Sequence, residues 1–428
     1  MPGTLEHASQ LPYYRARWGS RWRGVRRPEQ LVRLPTIDKA EAAEHCAQLV
    51  SRGVRLGTGV VSSGTTGGGG PLLLVPSSSA EADAAADFLS QWHDWTPTVT
   101  RAVAKGITLE VRTMHHGVPE GPPINGRLRM PWTYTHTAFR QFVQLLSRPS
   151  DGKRITSLVI GAGALLPLTA WMVEHEIDPS RFAVRLIGTN GFRVSAFWRK
   201  RLAELWKAEL MDNFSLSEFA TTAMECPDCG FHHWLTPPLL HEVLDVFTHA
   251  PLSQGVGELT LTGLFPFVQA MPLIRYRTGD LVEIGPRCRR ANDRGFRPRG
   301  RITQTLLDRG VEGQPLLVSG QDVQGLLEGE SAVARHPHPV ERLGLVKNGD
   351  IGAVKYQLTR TGKKLLLEIE LRFDPNVYPL EAEALQRKVS QQLHRVSQRL
   401  GALEREGRIS FEVRTVVGGT LTAPWSKF

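Results

Sequence analysis

Cysteine is scarce in this 428-residue chain, which carries four: Cys46, Cys226, Cys229 and Cys288. That is too few to staple a fold of this size, so a disulfide framework is excluded as its organising principle. Long apolar runs are missing as well. A membrane-crossing helix needs about 18 apolar residues. The nearest candidate, Ile155 to Trp171, is broken by Gly161, Gly163, Pro167 and polar residues. The opening Met1-Pro2-Gly3-Thr4-Leu5-Glu6 lacks the charged-then-apolar layout of a secretory signal, so a cytoplasmic location is expected. There is no internal repeat. The glycine-rich stretch after residue 62 is not followed by the Gly-Lys-Ser/Thr of a Walker-type phosphate loop.

What is present reads as an ordinary soluble globular protein of about two or three domains, with 41% hydrophobic and 22% charged residues. The formal charge is +10. Arginines cluster at Arg15, Arg17, Arg21, Arg23, Arg26 and Arg27, and again between Arg287 and Arg301. No nucleic-acid-binding motif accompanies them, so they read as a solvated basic face on a protein whose ligands are anionic.

Short apolar runs alternate with amphipathic segments. Gly106 to Arg112 alternates like a strand, and Ser79 to Trp95 has helical periodicity. Arg154 to Gly161 reads as a strand followed by a helix through His175. Phe182 to Ile187 reads as a strand ended by Gly188, and Val194 to Glu209 as a helix. Such alternation predicts an α/β fold with parallel strands. Beyond about Arg301 the texture changes. A hairpin turning at Thr361-Gly362, a helix from Pro379 to Leu400 and a strand from Ile409 to Val417 predict a small α+β unit. The expected organisation is therefore a large N-terminal domain, 1–300, and a smaller C-terminal one, 301–428.

Four stretches carry chemistry. Ser62-Ser63-Gly64-Thr65-Thr66-Gly67 strings hydroxyls and unencumbered backbone N–H groups into a loop suited to a polyphosphate. A flexible Gly/Ser linker has a similar composition. Met211 to Glu218 ends in a carboxylate, a hard oxygen ligand of the kind Mg²⁺ prefers. Tyr276-Arg277-Thr278-Gly279-Asp280 places an aspartate after a glycine turn, and Arg299-Gly300-Arg301 follows. In this order and spacing they resemble the adenylate-forming enzymes, specifically the phenylacetate–CoA ligase-like branch. The C-terminal Gly419 to Lys427 aligns with the end of that family.

The resemblance implies roles for these residues. Ser62, Ser63, Gly64, Thr65, Thr66 and Gly67 would cradle the ATP phosphates, and Phe214 and Ser217 would lie beside the adenine and the acyl group. Glu218 would hold Mg²⁺, Asp280 would accept the ribose hydroxyls, and Arg301 would contact ribose and phosphate. Lys427 would bridge the acyl carboxylate and the α-phosphate. Phe192, Phe214 and Trp234 are candidates for lining the acid pocket. Three departures stand out. Gly68 occupies the place of a loop lysine, Gln304 follows the hinge where an aspartate is usual, and Gly191-Phe192-Arg193 replaces Gly-Glu-Pro.

Cys226-Pro227-Asp228-Cys229 offers two thiolates at C-x₂-C spacing, with His232, His233 and Cys288 as further ligands. Cys226, Cys229, His232 and Cys288 form the expected structural Zn²⁺ set. A pair of reduced thiols in a tight turn is the plainer alternative.

The expected activity is ATP-dependent activation of a carboxylic acid, by resemblance an aromatic one, with transfer to coenzyme A. The alternatives are transfer to an amine, a phenol or an acyl-carrier protein, or nucleotide binding without turnover. A homodimer is a further expected partner state; nucleic acid and membrane are not expected partners.

Overall fold

A computed structural model of the protein describes residues 1–62, 73–78, 106–113, 127–148, 152–219, 222–234, 239–311, 313–347 and 350–421. The expected helix from Ser79 to Trp95, most of the glycine-rich loop and Lys427 lie outside them.

The N-terminal arm is a chain of short helices and 3₁₀ turns that includes the helix Lys39–Glu44 and ends in the helix Cys46–Leu49. Strands β1 (Leu56–Ser62) and β2 (Leu73–Ser78) then pair as an antiparallel hairpin on either side of the loop. The centre of the molecule is one sheet with a parallel half and an antiparallel half. The parallel half contains β3 (Ile107–Thr113), β4 (Arg127–Trp132), β5 (Ile155–Gly161), β6 (Leu186–Asn190) and β7 (Glu209–Ser215). Its order is β7-β6-β5-β3-β4. Six strands continue it on the β7 side: β8 (Thr222–Glu225), β9 (His232–Trp234), β10 (Leu239–Leu244), β11 (Val256–Gly263), β12 (Tyr276–Arg287) and β13 (Arg294–Arg301). They run β10-β11-β12-β13-β9-β8 into β7.

Helices cover the parallel half for reasons visible in their sequences. In His136–Ser147, Phe139, Phe142 and Leu146 recur at helical spacing and are buried, and the Thr135 hydroxyl caps the helix by accepting from Ala138 N–H at 3.1 Å. The helix Ala162–Glu174 is buried on most of its circumference and contains Pro167. A proline has no N–H to give the carbonyl four residues earlier. That carbonyl, Gly163, instead accepts from the Tyr134 hydroxyl at 3.0 Å.

The expected strand Phe182–Ile187 is displaced. Phe182 and Val184 are buried in the core but unpaired, Pro179–Arg181 forms a 3₁₀ turn capped by Asp178, and the strand runs Leu186–Asn190 with Gly188 inside it. An apolar run signals burial, not ladder pairing, and a glycine does not by itself stop a buried strand.

A third core lies among residues 306–409. It is built from β14 (Thr305–Leu307), β15 (Leu316–Ser319), β16 (Tyr356–Thr361), β17 (Lys364–Glu370) and β18 (Ser410–Val416) with their helices. Gly362 takes the left-handed turn (φ 60°) between β16 and β17, and Leu365, Leu367 and Ile369 are fully buried on one face. The long helix stops at Val396 rather than Leu400. Ser397 interrupts it and caps a second helix, Gln398–Arg405, by accepting from Leu400 N–H at 3.2 Å. One segment of this C-terminal region reaches out. Val340, Leu345, Val346 and Ile351 join the core formed by the parallel half of the large sheet.

Candidate functional site

The Tyr276–Asp280 stretch opens β12, and its geometry is locally determined. The Thr278 hydroxyl donates to the Leu259 carbonyl at 2.9 Å and accepts from Asp280 N–H at 3.1 Å. Gly279 adopts φ 74°, a left-handed conformation that favours glycine, and its N–H donates to Glu258 Oε1 at 3.1 Å. The carboxylate of Asp280 is thereby turned toward β13, where Arg301 is its register partner. Arg301 Nε lies 2.9 Å from Asp280 Oδ1, and its Nη1 donates to the Thr278 carbonyl at 3.0 Å. Two residues 21 apart in sequence thus form one charged unit.

Glu218 lies with Ser217 in the turn after β7, and Phe214 is the penultimate residue of β7 itself. Glu218 is 7% exposed and accepts from the Tyr276 hydroxyl at 3.0 Å. The buried phenol is held well above its usual proton affinity, by desolvation first and the Glu218 charge second. Lys39 Nζ stands 3.9 Å from Glu218 Oε1. Burial lowers the lysine's proton affinity, Glu218 raises it, and nearby Arg301 lowers it again. The structure therefore gathers Glu218, Tyr276, Asp280, Arg301 and Lys39, the last of which sequence reasoning missed.

Phe214 belongs to an aromatic group on one face of the antiparallel strands. Its ring centroid is 5.3 Å from Phe296 and 6.2 Å from Trp234, and Trp234 lies 5.4 Å from Phe296. Phe192 does not join it; that ring packs on the core of the parallel half. His232 stacks on Phe296 at 5.9 Å and meets Asp212 Oδ2 through Nε2 at 3.2 Å. Beside this pair, Glu225 accepts from Arg199. Burial alone would raise Glu225, but the guanidinium overrides it and holds the carboxyl below its usual range.

The cysteine cluster corrects one expectation. Cys226, Cys229, His233 and Cys288 bring their donor atoms within 4.8 Å of one another, and His232 is not among them. The reason is strand alternation. In β9, Glu225 and Phe296 are register partners of His232, so His232 faces the Asp212 and aromatic side and His233 the opposite one. Cys226 and Cys288 sulfurs are 3.8 Å apart, and Cys229 Sγ is 3.3 Å from His233 Nε2. A tetrahedral zinc with Zn–S bonds of about 2.3 Å separates its sulfurs by about 3.8 Å, so the donor set fits that ion. His233 Nδ1 meets Asp293 Oδ1 at 2.5 Å, the kind of carboxylate contact that orients a ligating imidazole. Burial, followed by the neighbouring thiols, pushes Cys229 up to about 12.

Of the remaining expected site residues, Ser62 ends β1, and Ser63, Gly64, Thr65, Thr66, Gly67 and Lys427 lie outside the described residues.

No family model and no curated protein sequence matches the chain. Solved structures do. The chain is similar to 2-hydroxyisobutyryl-CoA ligase in an open conformation with 2-HIB-AMP and CoA, with a TM-score of 0.62 and 16% identity, over 100% of this chain and 89% of that one. It is similar to the same ligase in its postadenylation state with R3-HIB-AMP, at 0.59 and 16%, over 98% and 86%. An ATP-bound RpMatB-BxBclM chimera gives 0.51 and 13%, over 86% and 65%. At such identities the likeness is one of fold: this chain has the two-domain fold of the acyl-CoA ligases of the adenylate-forming superfamily.

Proposed function

We propose that the protein activates a carboxylic acid with ATP, forming an acyl-adenylate and pyrophosphate, and passes the acyl group to coenzyme A. The observation that carries this reading is the convergence of Asp280, Arg301 and Glu218, from three separate elements, around Tyr276. Solved structures of this fold hold acyl-AMP, CoA or ATP.

In this reading Asp280 accepts the ribose hydroxyls and Arg301 orients that carboxylate while facing the phosphates. Glu218, buried and backed by the Tyr276 hydroxyl, is a carboxylate suited to Mg²⁺, which when bound spreads and neutralises triphosphate charge. The loop from Ser62 to Gly67 and Lys427 complete the anion site. Alignment and charge neutralisation are most of what transfer at the α-phosphorus requires.

Phe214, Trp234 and Phe296 favour an aromatic acid, and the placement in the phenylacetate–CoA ligase-like branch rests on the sequence motifs. The proposed ATP/acyl-binding unit is 1–300 and the mobile unit 301–428. Cys226, Cys229, His233 and Cys288 form the proposed structural zinc site, which ties the loop after β8 to the β12–β13 connection.

The departures at Gly68 and Gln304 favour nucleotide binding without turnover as the second reading. Pyrophosphate release from ATP across a panel of aryl acids separates the two. Release that depends on one acid, followed by thioester formation on adding coenzyme A, supports the proposal. Release without a thioester points to an amine, phenol or carrier-protein acceptor.

A further inference from the structure

The resemblance places a lysine in the phosphate loop, and this chain has Gly68 there. An ammonium stands at the site nonetheless, delivered from another part of the chain. Ile37 pairs with the motif strand, its N–H donating to the Arg275 carbonyl at 3.1 Å and its carbonyl accepting from Arg277 N–H at 2.8 Å. Asp38 caps the following helix by accepting from Glu41 N–H at 3.0 Å and takes Arg277 Nη2 at 3.0 Å. Lys39 is the first residue of that helix, which packs on both β12 and β2, the strand leaving the phosphate loop. The backbone of Lys39 is therefore fixed between the nucleotide motif and the loop hairpin.

Its side chain is 21% exposed and aims at Glu218 at 3.9 Å, with Arg301 close by. That distance is charge attraction rather than a hydrogen bond. Glu218 and Asp280 balance the two cations, Lys39 and Arg301, in this partly desolvated site, and an arriving polyphosphate offers the ammonium a further anionic partner.

We propose that Lys39 supplies, toward the phosphates of ATP, the positive charge that the loop does not carry at Gly68. It pairs with Glu218 until the nucleotide arrives and then donates to a phosphate oxygen. This inference rests on the acid-activation reading, and the test keeps the two apart.

Lys39→Met and Lys39→Arg are compared with the unaltered protein by calorimetric titration with ATP and by pyrophosphate release. A charge-assisted hydrogen bond lost to the methionine weakens ATP binding about ten- to a hundredfold, while arginine restores most of it. The KM for the acid and the unfolding midpoint change little. Unchanged ATP affinity in Lys39→Met overturns the inference alone. So does a rise confined to the acid's KM, which would assign the ammonium to the substrate carboxylate, or a fall in stability that accounts for the whole effect. If the unaltered protein neither binds ATP nor releases pyrophosphate with any acid, the acid-activation reading falls and takes this inference with it.

Discussion

Arg275 fastens the N-terminal arm to the start of β12, and its replacement by methionine is the most informative structural perturbation. The residue is 3% exposed. Its Nε and Nη2 meet Glu242 Oε2 and Oε1 at 3.0 and 3.1 Å, a bidentate pair, and Nη1 donates to the Leu34 carbonyl. Its backbone has φ 53°, a strained conformation for any side chain except glycine. Methionine keeps the backbone strain and much of the apolar stem, so the difference isolates the charged contacts. Removing one partner of a buried ion pair costs about 3–5 kcal/mol, because the other charge is stranded. Glu242 is 18% exposed on its side chain, which favours the lower end, about 3 kcal/mol. Adding Glu242→Gln removes the stranded charge and is expected to recover part of the loss. Chemical denaturation measures both, and proteolysis of residues 1–37 reports on the arm. Because the arm positions Lys39, ATP affinity should fall together with protection from protease. A loss below about 1 kcal/mol with an equally protected arm would refute the anchoring role.

Two further outcomes follow from buried groups. His338 is 2% exposed, and burial pushes its imidazole down to about 4, with the Gly163 carbonyl opposing. Unfolding frees it to take a proton near its ordinary 6.5. The unfolded chain therefore binds more protons, and stability falls by up to about 3 kcal/mol as pH drops from about 6.5 to about 4. Denaturation against pH checks this, with His338→Gln expected to flatten that part of the profile; an unchanged profile would contradict it. For the cysteine cluster, the purified protein is expected to carry about one zinc per chain by elemental analysis. Cys288→Ser should lose it and destabilise by a few kcal/mol. Protein purified without zinc, and indifferent to Cys288→Ser, would remove the metal from the account.

The parts of the site that could be read in sequence are those whose geometry is local. Thr278, Gly279 and Asp280 build their own turn through contacts within and beside β12, so a five-residue pattern carries the arrangement with it. Lys39 offers no such pattern. A lysine at a helix start is ordinary, and only the pairing of Ile37 with Tyr276 brings it to Glu218. The choice between His232 and His233 was likewise a matter of which strand face meets Asp212 and which meets the cysteines, and adjacent identical residues do not reveal it. At the level of fold, strand β5 and the hairpin at Gly362 were legible from alternation and turn chemistry. The Phe182–Val184 run was not, because burial without pairing leaves the same apolar signature as a strand. The strap that plants Val340 and Val346 in a distant core has no local signal at all.

The central claim is that an acyl-adenylate forms, and acid-dependent exchange of labelled pyrophosphate into ATP tests it without requiring any acceptor. The account predicts exchange that appears only with a carboxylic acid that fits the site and is lost in Asp280→Ala. Intact ATP binding with no exchange across the panel of acids would contradict it.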